Sequence, residues 1–186
     1  ALIEQFSLDG INRKAARFDI EKLTWLNHHY LRHGDQDEVV GEFRWHLDQC
    51  GYPLDDSVDL QALLAVQVER LDRLDVIAEQ SAPFFVDFDD YDPAAAKKHL
   101  RPVAIEPLQH LLDGLKAVTT LTPEACQAAI QHTADDLALS FGKIGMPLRV
   151  ALMGHGQSPP INETLALMGH DRAVARIERA IAWMEK

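Results

Sequence analysis

Apolar residues recur at three- and four-residue spacing along almost the whole chain, which is the period of amphipathic helices. No alternating stretch longer than a few residues suggests a strand. Asp19 stands where a helix N-cap would, ahead of Ile20, Leu23, Leu26 and Tyr30, and Gly34 follows as a stop. A second helix is predicted from about Asp37 to Cys50, with Val40, Phe43 and Leu47 on one face and Gly51 ending it. Leu60, Leu63, Leu64, Gln67, Val68 and Leu71 form a third stripe, which continues after a bend through Leu74, Ile77 and Ala78 to Pro83. Because large apolar side chains are mostly buried, Phe18, Trp25 and Leu26 are expected in a core.

Residues 84–93 mix aromatics with acids and break the helical period, which marks a connection between two subdomains. Beyond it, Pro93 sits near the start of a helix over 94–100, and Pro102 opens another through Leu108, Leu111, Leu112 and Leu115. Thr122-Pro123 reads as an N-cap followed by proline at the first helical position. Ala125, Ala128, Ala129, Thr133 and Leu137 make a small-residue face suited to close packing. A short helix over 146–153 ends at Gly154, and 155–160 is a loop. Ile161–Met168 is closed by Gly169, and 171–184 turns Val174, Ile177 and Ile181 inward. The expected fold class is all-α, a helical bundle-like body in two subdomains.

Composition narrows the setting. Of 186 residues, 47% are hydrophobic, yet no run approaches the ~20 apolar residues of a membrane span. Residues 1–6 show no basic stretch leading into an apolar one, so no secretory leader is visible. Two cysteines, Cys50 and Cys126, lack CxxC spacing, which fits a reducing, cytoplasmic compartment. The net charge of −11 argues against a general nucleic-acid binder. It is unevenly spread, however: residues 1–34 carry +1 and residues 141–186 carry +2, leaving −14 for the middle. Local basic faces at the two ends are compatible with that distribution.

The search for catalytic chemistry is short. His29 and His33 have the only ligand-like histidine spacing, no HExxH or Cys/His cluster occurs, and no metal site is predicted. Adjacent acids such as Asp89/Asp90 and Asp135/Asp136 read as solvated charge, and both cysteines read as buried, unreactive thiols. The glycine-bearing segment 153–158 lacks the strand and Gly-Lys-Ser/Thr ending of a phosphate loop. What remains is arginine near helix ends: Arg70 and Arg73 three apart on one predicted helix face, Arg149 after Pro147-Leu148, and Arg172, Arg176 and Arg179 along the final helix. Guanidinium forks in such places can read base edges, grip phosphates, or pair with neighbouring acids.

One string is specific. Phe18-Asp-x-x-Lys22-Leu-x-Trp25-Leu-Asn27 resembles the bacterial glutamyl-tRNA synthetase family, and two later blocks agree in order and spacing. They are Arg70-Leu-Asp-Arg-Leu-Asp75 with Pro83-Phe-Phe85, and the run Gly142 to Gly154 with Leu165-Ala-Leu-Met-Gly169. The resemblance spans essentially the whole chain. Neither the His-Ile-Gly-His-type nor the Lys-Met-Ser-Lys-Ser-type signature of that family's catalytic domain occurs here. The resemblance therefore implies the carboxy-terminal part of a glutamate–tRNA ligase, without a catalytic residue or cofactor of its own. ATP and Mg would belong to the parent enzyme's catalytic domain.

The same resemblance divides the chain into the end of a stem-contact module at 1–34 and two anticodon-binding subdomains at 35–90 and 91–186. It implies that Arg70 reads the last anticodon base and that Arg149 contacts anticodon nucleotides. The loop residues Ser158, Pro159 and Ile161 would pack on anticodon bases, although Gly156 and the two prolines depart from the family's pattern. Asn12, Arg13, Lys14, Lys22 and Lys143 would meet the tRNA stem or backbone. The implied partners are tRNA(Glu), with tRNA(Gln) left open, and the upstream catalytic domain of the same chain. No DNA, membrane or second copy is expected. The competing reading is a helical protein-interaction domain whose acidic middle docks a basic partner.

Overall fold

A computed structural model describes residues 17–55, 57–116, 118 and 120–186. Asn12, Arg13 and Lys14 lie outside the described residues. Eleven α-helices, one 3-10 turn and no strand are present among the described residues.

Side-chain oxygens start many of the helices, because they satisfy N–H groups that have no partner in the first turn. Asp19 accepts from the Lys22 N–H at 3.1 Å and opens α1 (Ile20–His33). Asp35 accepts from Asp37 and Glu38 and opens α2 (Gln36–Gln49). Asp59 accepts from Ala62 at 3.0 Å and opens α3 (Leu60–Gln67). The expected bend is a full break: α3 ends at Gln67, residues 68–73 turn, and α4 (Leu74–Gln80) and α5 (Ala82–Phe85) follow. Arg70 and Arg73 thus do not share a helix face. Arg70 sits in the turn, and Arg73 precedes α4 and pairs with Asp75.

In the second half, Asp92 accepts from Ala95 at 2.7 Å to open α6 (Pro93–His99). A 3-10 turn (Pro102–Ala104) leads into α7 (Ile105–Lys116). Thr122 caps α8 (Pro123–Asp136), as its sequence predicts, and α9 (Phe141–Met153), α10 (Ile161–Met168) and α11 (His170–Met184) complete the chain. Helix α9 begins at Phe141 instead of residue 146, because Pro147 is carried inside it. Proline there removes the donor that the Lys143 carbonyl would otherwise meet.

Phe43, Leu47, Leu63 and Ile77 fill the contact of α2 with α3 and α4, while Leu108, Ile130, Ile144, Leu165 and Ile177 fill the packing of α7–α11. Helix α3 reaches α10 and joins the two halves. Two apolar faces differ from the sequence pattern. On α8 the inward residues are Cys126, Ile130, Thr133 and Ala134, and Ala128 is exposed. Burying Ile130 removes more apolar area from water than burying alanines, and so it fixes the rotation. On α1 only Leu31 is buried, and Phe18 and Trp25 are 75% and 65% exposed. Ile20, Leu23, Leu26 and Tyr30 are exposed with them. Among the described residues α1 meets α2 through its buried side and the 68–73 turn through Asn27 and His28, and the rest of its apolar stripe is exposed.

Residues 84–92 are strapped down by α11. Arg172 donates to the Phe84 carbonyl, Arg176 donates to Val86 O at 2.9 Å and to the Asp87 carboxylate at 2.9 Å, and Arg179 donates to Phe88 O at 2.8 Å. The Arg179 guanidinium also lies 4.1 Å from the Phe88 ring centroid. Gly154, at φ +79°, ends α9 in the left-handed region, and a Cβ there would sit 3.0 Å from the Phe88 ring. Its carbonyl accepts from the Asp92 N–H at 2.7 Å. The three arginines of the last helix are therefore structural clamps.

Candidate nucleic-acid interface

Arg70 follows α3 on a turn that is held from several sides. The Gln67 carbonyl accepts from the N–H groups of Arg70 and Leu71, each at 3.0 Å. The Gln67 side chain is fully buried; its amide donates to Ser81 Oγ at 3.1 Å, and its oxygen accepts from Arg70 Nη1 at 3.3 Å. Ser81 in turn donates to Ile77 O at 2.7 Å, which ties the turn to α4. From α1, Asn27 donates to Asp72 O at 2.5 Å and His28 Nε2 to Val68 O at 2.7 Å, and Arg32 pairs with Glu69 at 2.7 Å. A surface arginine anchored this way loses little further freedom on meeting a ligand.

Arg149 reaches the same region from α9. Its Nε donates to Ser158 Oγ at 2.7 Å, and its Nη1 lies 3.3 Å from Met146 Sδ. Burial, and then the nearby charge of Arg70, hold its pKa below the ordinary guanidinium value. Among the described residues neither Arg70 nor Arg149 has a carboxylate at ion-pair distance. Two neighbouring cations without counter-charge repel each other, and a polyanion relieves that repulsion.

The loop after α9 builds the other wall. Ser158 Oγ donates to Pro159 O at 2.6 Å, and the buried Thr164 hydroxyl lies 3.1 Å from Ser158 Oγ. Pro159 and Ile161 are buried, so they shape this loop, while Pro160 is exposed. His155 is half-buried, and burial pushes its pKa below 6.5, opposed by Asp92 and reinforced by Arg70. A groove of about 640 Å³ runs beside these groups, bounded by Gln80, Asp92, Ala95, Lys98, His155 and Gln157. Its amides and carboxylate can donate to and accept from unpaired base edges.

The structure thus joins Arg149 to Ser158 through a hydrogen bond, with the charge of Arg70 acting on Arg149. Lys143 lies exposed in the first turn of α9, two turns before Arg149. Lys22 is exposed on α1, and no contact links it to this face. Sequence reasoning missed Gln67 as the anchor of Arg70; its signal was a polar residue inside an otherwise apolar stripe. Asp92 and His155 were missed as groove walls. Elsewhere, Asp89, Asp90, Asp135 and Asp136 are exposed, and Cys50 is exposed against expectation. Burial pushes the Cys126 thiol up to about 12, leaving it unreactive. The His29 and His33 rings are 4.9 Å apart, but among the described residues no three His, Cys, Asp or Glu side chains gather as metal ligands. No described helix is long and apolar enough to cross a membrane.

Anchored guanidinium groups with no carboxylate partner among the described residues, beside an open polar groove on an all-helical body, suit the reading of single-stranded RNA. Residues 30–181 match the anticodon binding domain family, and the chain belongs to it. Over 98% of its length the chain also superposes on a glutamate–tRNA ligase from Elizabethkingia meningosepticum, solved in complex with its amino acid, with a TM-score of 0.84 and 26% identity. A glutamate–tRNA synthetase from Elizabethkingia anophelis matches over 97% of the chain, with a TM-score of 0.78 and 26% identity. The chain spans only 36% and 35% of those two proteins.

Proposed function

We propose that this chain is the anticodon-reading end of a glutamate–tRNA ligase, working in the cytoplasm as a monomer. The observation that carries the reading is that Arg70, anchored by Gln67, and Arg149, anchored by Ser158, have no carboxylate at ion-pair distance among the described residues. In this reading residues 1–34 end a stem-contact module, and residues 35–90 and 91–186 form the two reading subdomains. Arg70 takes the last anticodon base, because a fork fixed by Gln67 can present two parallel donors to one base edge. Arg149 and Ser158 take a neighbouring nucleotide, with Pro159 and Ile161 setting the loop behind them. Asn12, Arg13, Lys14, Lys22 and Lys143 grip phosphates, which gives register without sequence information.

Ligation of glutamate, and the ATP and Mg it consumes, belong in this reading to a catalytic domain beyond these residues. The deciding experiment is a titration at one stated salt concentration against glutamate tRNA and the same tRNA with its last anticodon base changed. One bidentate base contact is worth about 1–3 kcal/mol, so a preference of roughly tenfold to a hundredfold is expected. Arg70→Ala should remove that preference, and Arg149→Ala should weaken both complexes. Equal binding of the two tRNAs by the parent chain would refute the assignment of Arg70.

A further inference from the structure

Beside the reading groove lies a second cavity that no role above accounts for. It holds about 290 Å³, at the lower end of the roughly 300–1,000 Å³ of small-molecule sites. Its floor is apolar: Val103 and Ala104 from the 3-10 turn, Pro107 from α7, Leu139, and Pro147 from α9. Val103 is 73% exposed, an apolar side chain left in water on the cavity wall. Lys98, His99, Arg101 and Lys143 stand around that floor, and no carboxylate lines it. Among the described residues Lys98, Arg101 and Lys143 have no ion-pair partner. Burial and then the charges of Lys98 and Arg101 lower the pKa of His99. In a chain of net charge −11, four basic groups around one apolar slot are a local exception.

The slot is continuous with the reading face. Met146 lines both it and the groove, and Met146 Sδ touches Arg149 Nη1 at 3.3 Å. Lys98 and His99 also border both. We propose that this slot holds one unstacked nucleotide flanking the bases read by Arg70 and Arg149, its base on the apolar floor and its phosphates on the cationic rim. An apolar surface accepts the face of any base, whereas a cationic rim demands the adjoining phosphates, so the site favours RNA shape over sequence. The freed Lys143 carbonyl at the rim can accept from an exocyclic amine or a ribose hydroxyl. This assignment rests on the proposed anticodon reading and extends it to a neighbouring nucleotide.

The test titrates the whole chain with an unmodified glutamate tRNA transcript over a salt series. The triple variant Lys98→Ala, Arg101→Ala, Lys143→Ala should lower the slope of log affinity against log salt by about 1.4, at ~0.7 for each of the two phosphates that adjoin the nucleotide. Its preference for the native over the base-changed anticodon should persist. Separately, transcripts abasic at each anticodon-loop position are titrated against the parent chain and Val103→Asp, an exposed substitution that places a like charge in the slot. One abasic position should weaken binding to the parent and leave Val103→Asp unaffected. The proposal is overturned if the triple variant keeps the parent's salt slope, or if no abasic effect disappears in Val103→Asp. If instead the triple variant weakens binding while the anticodon change and Arg149→Ala do nothing, the slot stands and the anticodon reading fails.

Discussion

Replacing Arg176 by methionine should destabilise the chain by about 3 kcal/mol, chiefly by leaving buried backbone carbonyls without a donor. The side chain is 2% exposed and donates to Leu152 O, Val86 O and the Asp87 carboxylate. Methionine keeps most of the apolar stem but supplies no donor. Each carbonyl left buried and unpaired costs about 1–3 kcal/mol. The Leu152 bond is buried and takes the full penalty, while the Val86 bond is partly wet and takes less. Against this stands some relief, because burial already disfavours the charged arginine, as its lowered pKa indicates. Asp87 is 75% exposed at its side chain and can turn to water, so Asp87→Asn should cost less than about 1 kcal/mol.

Urea unfolding of the three proteins, with equal m values, measures both differences. An acid series adds a sign. Arg176 holds the Asp87 carboxyl below its ordinary value of 3.8, so this contribution is present above that value and fades as pH falls through the lowered one. Asp87→Asn should lack that fading. If Asp87→Asn costs as much as Arg176→Met, the energy lies in the ion pair and the carbonyl argument is wrong.

Gln67→Met should cost about 1–2 kcal/mol of stability and reduce discrimination at the last anticodon base, while overall tRNA affinity changes less; retained discrimination would show that Arg70 needs no anchor. Trp25→Ser should shift stability by under about 0.5 kcal/mol, because the ring is exposed on α1, and a larger loss in urea melts would place it in a core after all. Burial lowers the pKa of both His99 and His155, so each favours the fold while neutral, above 6.5, and that contribution is lost as pH falls through the lowered values. Phosphate nearby raises both pKa values, so tRNA affinity should rise between pH 7.5 and about 5.5, and a His99→Gln, His155→Gln double variant should flatten the rise.

The helices were legible where a local signal sufficed. Asp19 and Thr122-Pro123 carry their own caps, and Gly51 and Gly154 mark ends at which positive φ is needed. Periodicity, by contrast, states that a helix has an apolar side and not whether a neighbour covers it. The stripe of α1 met that limit, since Ile20, Leu23 and Tyr30 repeat correctly and yet lie in water. The start of α9 met another, because proline reads as a boundary in sequence although a helix can absorb it at the loss of one bond.

The interface was legible in its parts and not in its assembly. Arg70 and Arg149 carry short strings of their own, but that the charge of Arg70 acts on Arg149 follows only from the fold. The clearest contrast is among the arginines themselves. On α11 Arg172, Arg176 and Arg179 meet carbonyls of 84–88 and a carboxylate, and so are spent on the fold. Arg70 is held by a neutral amide and Arg149 by a hydroxyl, partners that orient a guanidinium without cancelling its charge. Residue type is the same in the two sets. The difference is what the guanidinium satisfies: the α11 arginines meet backbone carbonyls of 84–88 that would otherwise lack a donor, whereas Arg70 and Arg149 meet side chains. Tertiary packing supplies those partners, and they separate an arginine that ties down the fold from one left able to bind phosphate or base.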